Sequence, residues 1–152
     1  MTLQQTDEDI LNSASILLEM KGVVTISYLA KEHIILHEWF EYNPEEGDEH
    51  VFEALDIIFK TMKDYQCAKV MVQVNHVKGA FSPDVLDYIK TVQFPRLLSE
   101  TPLRYIATVV SEEHYEEVNS SLWKDQLLEN KALIMTDVLS LSEGQKWLSQ
   151  FS

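Results

Sequence analysis

Hydrophobic residues recur at intervals of three and four in two long stretches of this chain, which is the period of an amphipathic helix. In the first stretch the pattern predicts a helix over residues 8–20, with Thr6 or Asp7 as its N-cap. In the second stretch it predicts a helix over residues 49–65. Residues 1–22 are therefore interpreted as an N-terminal helical extension.

Shorter runs rich in β-branched and aromatic residues predict strands. The first two runs, 23–29 and 34–42, are separated by Lys31-Glu32 and predict a hairpin with a tight turn. Bulky apolar groups alternate onto both sides of the second run, which indicates that both faces of this strand are covered. Further strands are predicted over 69–74, 105–110 and 133–138.

A helix is predicted over residues 83–94, directly after the third predicted strand. Ser82 is suited to cap its first amides, and Pro83 loses no hydrogen bond at the first helical position. Asp84 suits the positive end of the helix dipole. Pro95 is expected to end or kink this helix, because an internal proline lacks the N–H group and clashes with the preceding turn.

Two more helices are predicted over 112–129 and 142–151, the second capped by Ser142-Glu143. After the hairpin, strands and helices alternate, and right-handed crossovers then imply a mostly parallel sheet. The sequence therefore predicts a single α/β domain over residues 1–152. It would contain a mixed, mostly parallel five-stranded sheet with an N-terminal β-hairpin and covering helices.

Composition and charge exclude several classes of partner. The chain has 152 residues, of which 45% are hydrophobic, so it can build a substantial core. It carries 12 basic and 25 acidic residues, a net charge of −13 that repels nucleic-acid backbones and anionic membrane surfaces. No apolar run approaches the ~20 residues of a membrane span, and the N-terminus lacks the pattern of a secretory signal. The expected location is cytoplasmic.

The sequence contains little that points to catalysis. It has four glycines and no nucleotide-binding loop or serine nucleophile motif. His33 and His37 would lie about 13 Å apart on one strand face, too far for one metal ion. We predict no catalytic residue, no cofactor and no metal. Cys67 is interpreted as a small buried residue, with a reactive thiol as the alternative. An enzyme would need a cleft that joins His76, His114 or Cys67 to a cationic group.

Basic and aromatic side chains offer weaker candidates for a site. Lys78, just before the helix opened by Ser82, is a candidate for anion binding or belongs to an ordinary connection. Arg96 and Arg104 either pair with surplus carboxylates or line one pocket together. The numerous aromatic residues indicate a core, or alternatively an apolar cleft or a dimer face.

The order of elements, together with Tyr28, Glu38-Trp39, Phe94-Pro95-Arg96 and Lys146-Trp147-Leu148, resembles a known family. It is similar to the STAS-like group related to bacterial anti-sigma-factor antagonists, and more narrowly to small SpoIIAA-like proteins. The resemblance covers about residues 24–148 and implies a STAS-like fold. It also implies a binding or regulatory module for which no reaction is established.

The same resemblance implies a place to look for a phosphorylation switch. In phosphorylatable members of the wider family, a serine or threonine lies where the central strand leads into the next helix, between an aspartate and a glycine. The matching residue here is Ser82, flanked instead by Phe81 and Pro83. This departure favours a helix cap over a switch.

The leading hypothesis is a non-enzymatic, STAS-like binding or regulatory module. It would contact a protein partner or a second copy through the loop 75–82 and the helix 83–94. The proposed contact residues are Lys78, Phe81, Ser82, Asp84 and Tyr88. The alternative is a carrier of a small apolar ligand, with a pocket between the hairpin and the covering helices.

Overall fold

The computed structural model describes residues 6–20, 22–40, 49–74, 82–110 and 133–151. Within these ranges six strands form one mixed sheet, in which strands that follow one another along the chain lie side by side. The strands are β1 (Ser15–Met20), β2 (Val24–Leu29), β3 (Ile34–Trp39), β4 (Lys69–Gln73), β5 (Tyr105–Val109) and β6 (Ile134–Val138). β1 to β3 pair antiparallel, whereas β3 to β6 pair parallel. The α/β class is therefore confirmed.

Helices cover both faces of this sheet. They are α1 (Asp7–Ser13), α2 (Glu49–Tyr65), α3 (Pro83–Tyr88), a π-helical segment (Ile89–Gln93), α4 (Phe94–Glu100) and α5 (Leu141–Leu148). One core lies between the sheet and the helices α2, α3 and α4. The second core lies on the opposite face, where α1 and α5 pack on the sheet. Because both faces are covered, the central strands are buried on both sides.

The predicted helix over residues 8–20 is wrong in its second half. Its start is confirmed, since the Thr6 side chain accepts a hydrogen bond from the Asp9 amide and the Asp9 side chain accepts one from the Thr6 amide. The helix ends at Ser13, however, and β1 follows and pairs with β2. The spacing by three and four fits a helix, but Ser15–Met20 is a short apolar run that by itself fits either element, and the ladder to β2 makes it a strand. Ser15–Met20 thus belongs to the sheet and not to a helical extension, and the sheet has a strand that the sequence did not predict.

The predicted hairpin is confirmed as β2 and β3, which pair from Val24↔Trp39 to Leu29↔Ile34. The turn between them has its positive φ, 58°, at His33. This residue precedes β3, so the prediction that His33 and His37 share a strand face is wrong. β3 ends at Trp39, and residues 41–48 lie outside the described ranges. α2, β4 and β5 occupy the predicted stretches, and β4 lies between β3 and β5 at the centre of the parallel part.

The helix opened by Ser82 begins as predicted but continues past Pro95. The Ser82 hydroxyl accepts a hydrogen bond from the Val85 amide at 3.3 Å, and Pro83 takes the first helical position. The chain then widens into the π-helical segment, where the Phe94 amide donates to the Ile89 carbonyl, and remains helical to Glu100. A wider turn ahead of a proline relieves its clash with the carbonyl four residues earlier. Pro95 therefore coincides with a change of helix type and not with an end.

The last helix, α5, is capped by Ser140 and not by Ser142. The Ser140 backbone is extended and its hydroxyl accepts a hydrogen bond from the Glu143 amide at 3.2 Å. The amides of Leu141 and Ser142 instead donate to the carboxylate of Asp7 in α1, at 3.1 and 3.0 Å. The predicted helix over 112–129 lies outside the described residues.

Candidate functional site

An apolar cleft lies between the sheet and the helical elements α2, the π-helical segment and α4. Its floor comes from β3, β4 and β5, and its roof comes from α2, the π-helical segment and α4. The cleft has a cavity volume of about 80 Å³. The described residues that line it are apolar except His37 and Gln93.

His37 comes from β3 and is buried in the floor of the cleft. Alternation along the strand places Ile35, His37 and Trp39 on the side facing α2, as the two-faced pattern of this run predicts, whereas Ile34 and Leu36 face the second core. The side chain is 5% exposed, and its Nε2 atom has no hydrogen-bond partner within the described residues. Burial lowers the pKa of the imidazole to about 4, because the apolar surroundings disfavour the charged form. His37 is therefore neutral at pH 7.

Gln93, the other polar lining residue, has both ends of its amide occupied. Its nitrogen donates to the Leu55 carbonyl of α2 at 2.8 Å. Its oxygen accepts from Nε and Nη2 of Arg96 at 3.2 and 2.7 Å. Gln93 thereby ties the π-helical segment to α2. The unsatisfied polar atom in the described lining is thus Nε2 of His37.

Arg96 lies on the outer side of this wall. Its Nη1 donates to the Asp56 carboxylate at 3.2 Å, and its guanidinium lies 4.2 Å from the centre of the Phe59 ring. A hydrogen bond from Lys60 lowers the pKa of Asp56, and the hydrogen bond from Arg96 adds to this effect. The interpretation that Arg96 pairs with a carboxylate is therefore confirmed.

Arg104 does not join Arg96 in a pocket. It lies just before β5 with an exposed side chain, and its guanidinium is 5.9 Å from the centre of the Tyr105 ring. Neither arginine is among the residues that line the cleft. The cleft thus has an uncharged interior as far as the described residues line it.

The predicted partner surface is described only in part. Lys78 and Phe81 lie outside the described residues. Ser82 is half-buried as the cap of α3, and Asp84 is exposed in its first turn. Tyr88 is half-buried and packs edge-to-face on Phe52, with ring centroids 5.1 Å apart. Of these three residues, Ser82 therefore caps α3, Asp84 faces the solvent and Tyr88 packs against α2.

The thiol of Cys67 lies in a closed environment. It is fully buried, and its Sγ donates to the His33 carbonyl at 3.1 Å. Burial raises the pKa of the thiol to about 11, so that it is protonated at neutral pH. The interpretation of Cys67 as a small buried residue is confirmed.

The described residues contain no group of three or more histidine, cysteine, aspartate or glutamate side chains placed to hold a metal ion. His76 and His114 lie outside the described ranges. None of the described helices combines the length and the apolar character needed to cross a bilayer.

Sequence reasoning missed the two features that define the cleft. The π-helical segment, which contributes Ile89 and Gln93 to the wall, was signalled only indirectly by Pro95. His37 was visible as a polar residue between Ile35 and Trp39 on one face of β3, but its unsatisfied nitrogen follows from three-dimensional packing. Comparison of the chain with protein-family models and with curated proteins finds no match.

Proposed function

We propose that this protein is a non-enzymatic module that binds a small, largely apolar molecule in the cleft between its sheet and its helices. The observation that supports this most directly is an apolar cleft whose floor holds a buried, unsatisfied imidazole. Protein interiors are normally packed with few voids larger than a water molecule, so an opening of this size is a feature to explain. Ligand sites typically combine apolar walls with a small number of polar groups, as here.

The test is binding of an apolar probe to the purified protein. We expect toluene to bind in a calorimetric titration, and native mass spectrometry of protein purified gently from its host to detect a bound small molecule. Leu97→Phe, which adds bulk to the roof of the cleft, is expected to abolish both signals. Val92→Phe is the matched control, because Val92 is 39% exposed on the same helical stretch and does not line the cleft. The proposal would be contradicted if the wild-type protein bound no toluene and carried no small molecule from its host.

We also propose, as a second candidate, that the module is STAS-like and regulatory and contacts a protein partner or a second copy through the helix opened by Ser82. The antiparallel hairpin beside the parallel strands and the capped helix after β4 support this reading. The same helical stretch walls the cleft on one side and exposes Asp84 and Lys90 on the other. A contact there could respond to an occupied cleft.

Light scattering tests the self-association form of this second candidate. Lys90→Glu is expected to lower the measured mass if a second copy docks there, whereas Lys146→Glu on the opposite face of the sheet is the control. If light scattering gives the mass of a monomer for the wild-type protein, self-association is excluded and the partner would be a different protein. Unchanged recovery of that partner by Lys90→Glu and Asp84→Lys would then count against this surface.

A further inference from the structure

The unsatisfied nitrogen of His37 indicates which chemical class of ligand the cleft would bind. This inference rests on the function proposed above. A buried polar atom without a partner costs free energy, and native structures rarely retain one unless water or a ligand completes it. The other polar residue of the described lining, Gln93, already has a partner at each end of its amide, the Leu55 carbonyl at its nitrogen and Arg96 at its oxygen. Within the described lining, His37 is therefore where a ligand would gain a hydrogen bond.

The charge of the ligand follows from the surroundings of this nitrogen. The described lining includes no aspartate, glutamate, lysine or arginine. Asp56 of α2 and Arg96 of α4, two charged groups of the roof helices, do not line the cleft and are paired with each other. A charged ligand group would lose its hydration without gaining an opposite charge, which is strongly unfavourable. The group that meets His37 is therefore uncharged.

We propose that the cleft binds an uncharged molecule that has a hydroxyl group on an apolar body, with the hydroxyl hydrogen-bonded to Nε2 of His37. A neutral imidazole presents Nε2 as a donor in one tautomer and as an acceptor in the other. A hydroxyl group can accept or donate, so it matches both tautomers, whereas a carbonyl matches only one. The apolar body contacts the valines of β4 on the floor and Ile89 and Leu97 on the roof.

The experiment compares phenol with toluene, which has a methyl group where phenol has its hydroxyl. His37→Phe keeps an aromatic ring in the floor but removes the nitrogen. We expect this variant to weaken phenol binding by about three- to tenfold, the usual effect of one hydrogen bond between neutral groups. Toluene affinity is expected to change by less than about twofold. Comparing each probe across the two proteins cancels the different solubilities of phenol and toluene.

A second measurement uses the wild-type protein alone and does not depend on the folding of a variant. The ¹⁵N resonance of His37 Nε2 is expected to shift when phenol is added and to stay in place when toluene is added. Benzoate, the charged comparison at pH 7, is expected to bind more weakly than phenol.

The outcomes separate this inference from the proposed function. Binding of neither phenol nor toluene to the wild type would overturn both. Binding of both probes with no His37→Phe effect and no ¹⁵N shift would overturn the hydroxyl assignment and leave the proposed function standing. Tighter binding of benzoate, or a water molecule that stays on Nε2 in the presence of phenol, would also overturn the assignment.

Discussion

At pH 7 the imidazole of His37 is uncharged, because burial lowers its pKa to about 4 from the ordinary value of 6.5. Between these two values the unfolded chain binds a proton at this position and the folded chain does not. Protonation therefore favours the unfolded state, and the folded state loses stability as the pH falls through this window. Above pH 6.5 the effect is absent.

We expect this residue to remove about 2 to 3 kcal/mol of unfolding free energy between pH 7 and pH 4.5. His37→Phe is expected to lose correspondingly less over the same range. At pH 7 the variant is expected to be at least as stable as the wild type, because it no longer buries an unsatisfied polar atom. Urea unfolding of both proteins at several pH values measures the difference, and parallel pH profiles would show that the imidazole is not buried in its neutral form.

At the scale of elements, Asp7 connects the first and last described helices. Its carboxylate accepts hydrogen bonds from the amides of Leu141 and Ser142, and it thus caps the start of α5 from a distant part of the chain. A helix start leaves amides without partners inside the helix, and an acidic group there also interacts favourably with the dipole. Asp7 thereby fixes α1 against α5 on the second core.

Asp7→Ala is expected to lower the unfolding free energy by about 1 to 2 kcal/mol, the usual cost of a lost cap. Glu8→Ala is the matched control, since Glu8 is an exposed neighbour in the same turn of α1. That variant is expected to change stability by less than about 0.5 kcal/mol. Equal losses in the two variants would mean that the effect comes from the helix propensity or charge of α1 and not from the connection to α5.

At the scale of the whole molecule, an occupied cleft is expected to stabilise the fold, because a ligand that binds only the folded state shifts the unfolding equilibrium. Toluene at ten times its dissociation constant is expected to raise the unfolding temperature by about 3 to 6 °C. Differential scanning calorimetry measures this, and Leu97→Phe is expected to show no rise. A rise of the same size in Leu97→Phe would indicate that toluene binds outside the cleft.

Much of this architecture follows from patterns along the chain. The alternation of strands and helices predicted the α/β class, and the cap chemistry of Thr6 and Ser82 marked two helix starts correctly. β1 was missed because its short apolar run continues the helical spacing that starts in α1, and only its pairing with β2 shows that it is a strand. The predicted cap of the last helix, Ser142, was two residues too late, since the hydroxyl of Ser140 accepts the Glu143 amide.

The candidate site was less predictable than the fold. An apolar pocket between the hairpin and the covering helices was the alternative hypothesis, whereas the described lining comes from β3, β4 and β5 and includes no residue of β2. The alternation along β3 correctly grouped His37 with Ile35 and Trp39 on one face of that strand. The empty space above His37 and the π-helical segment in the roof of the cleft cannot be predicted from a local sequence pattern. Both result from how separate elements pack against one another. Arg96 likewise has its partner Asp56 forty residues away.

The simple order of strands in the sheet has a consequence for how the chain reaches this structure. Each strand pairs with the one made just before it, so every step closes a loop no longer than a single connection. Such a sheet can grow from one edge to the other during synthesis, without separating any pair already formed. The bridge from Asp7 to α5 spans almost the entire chain, and we therefore expect it to form last and to complete the second core.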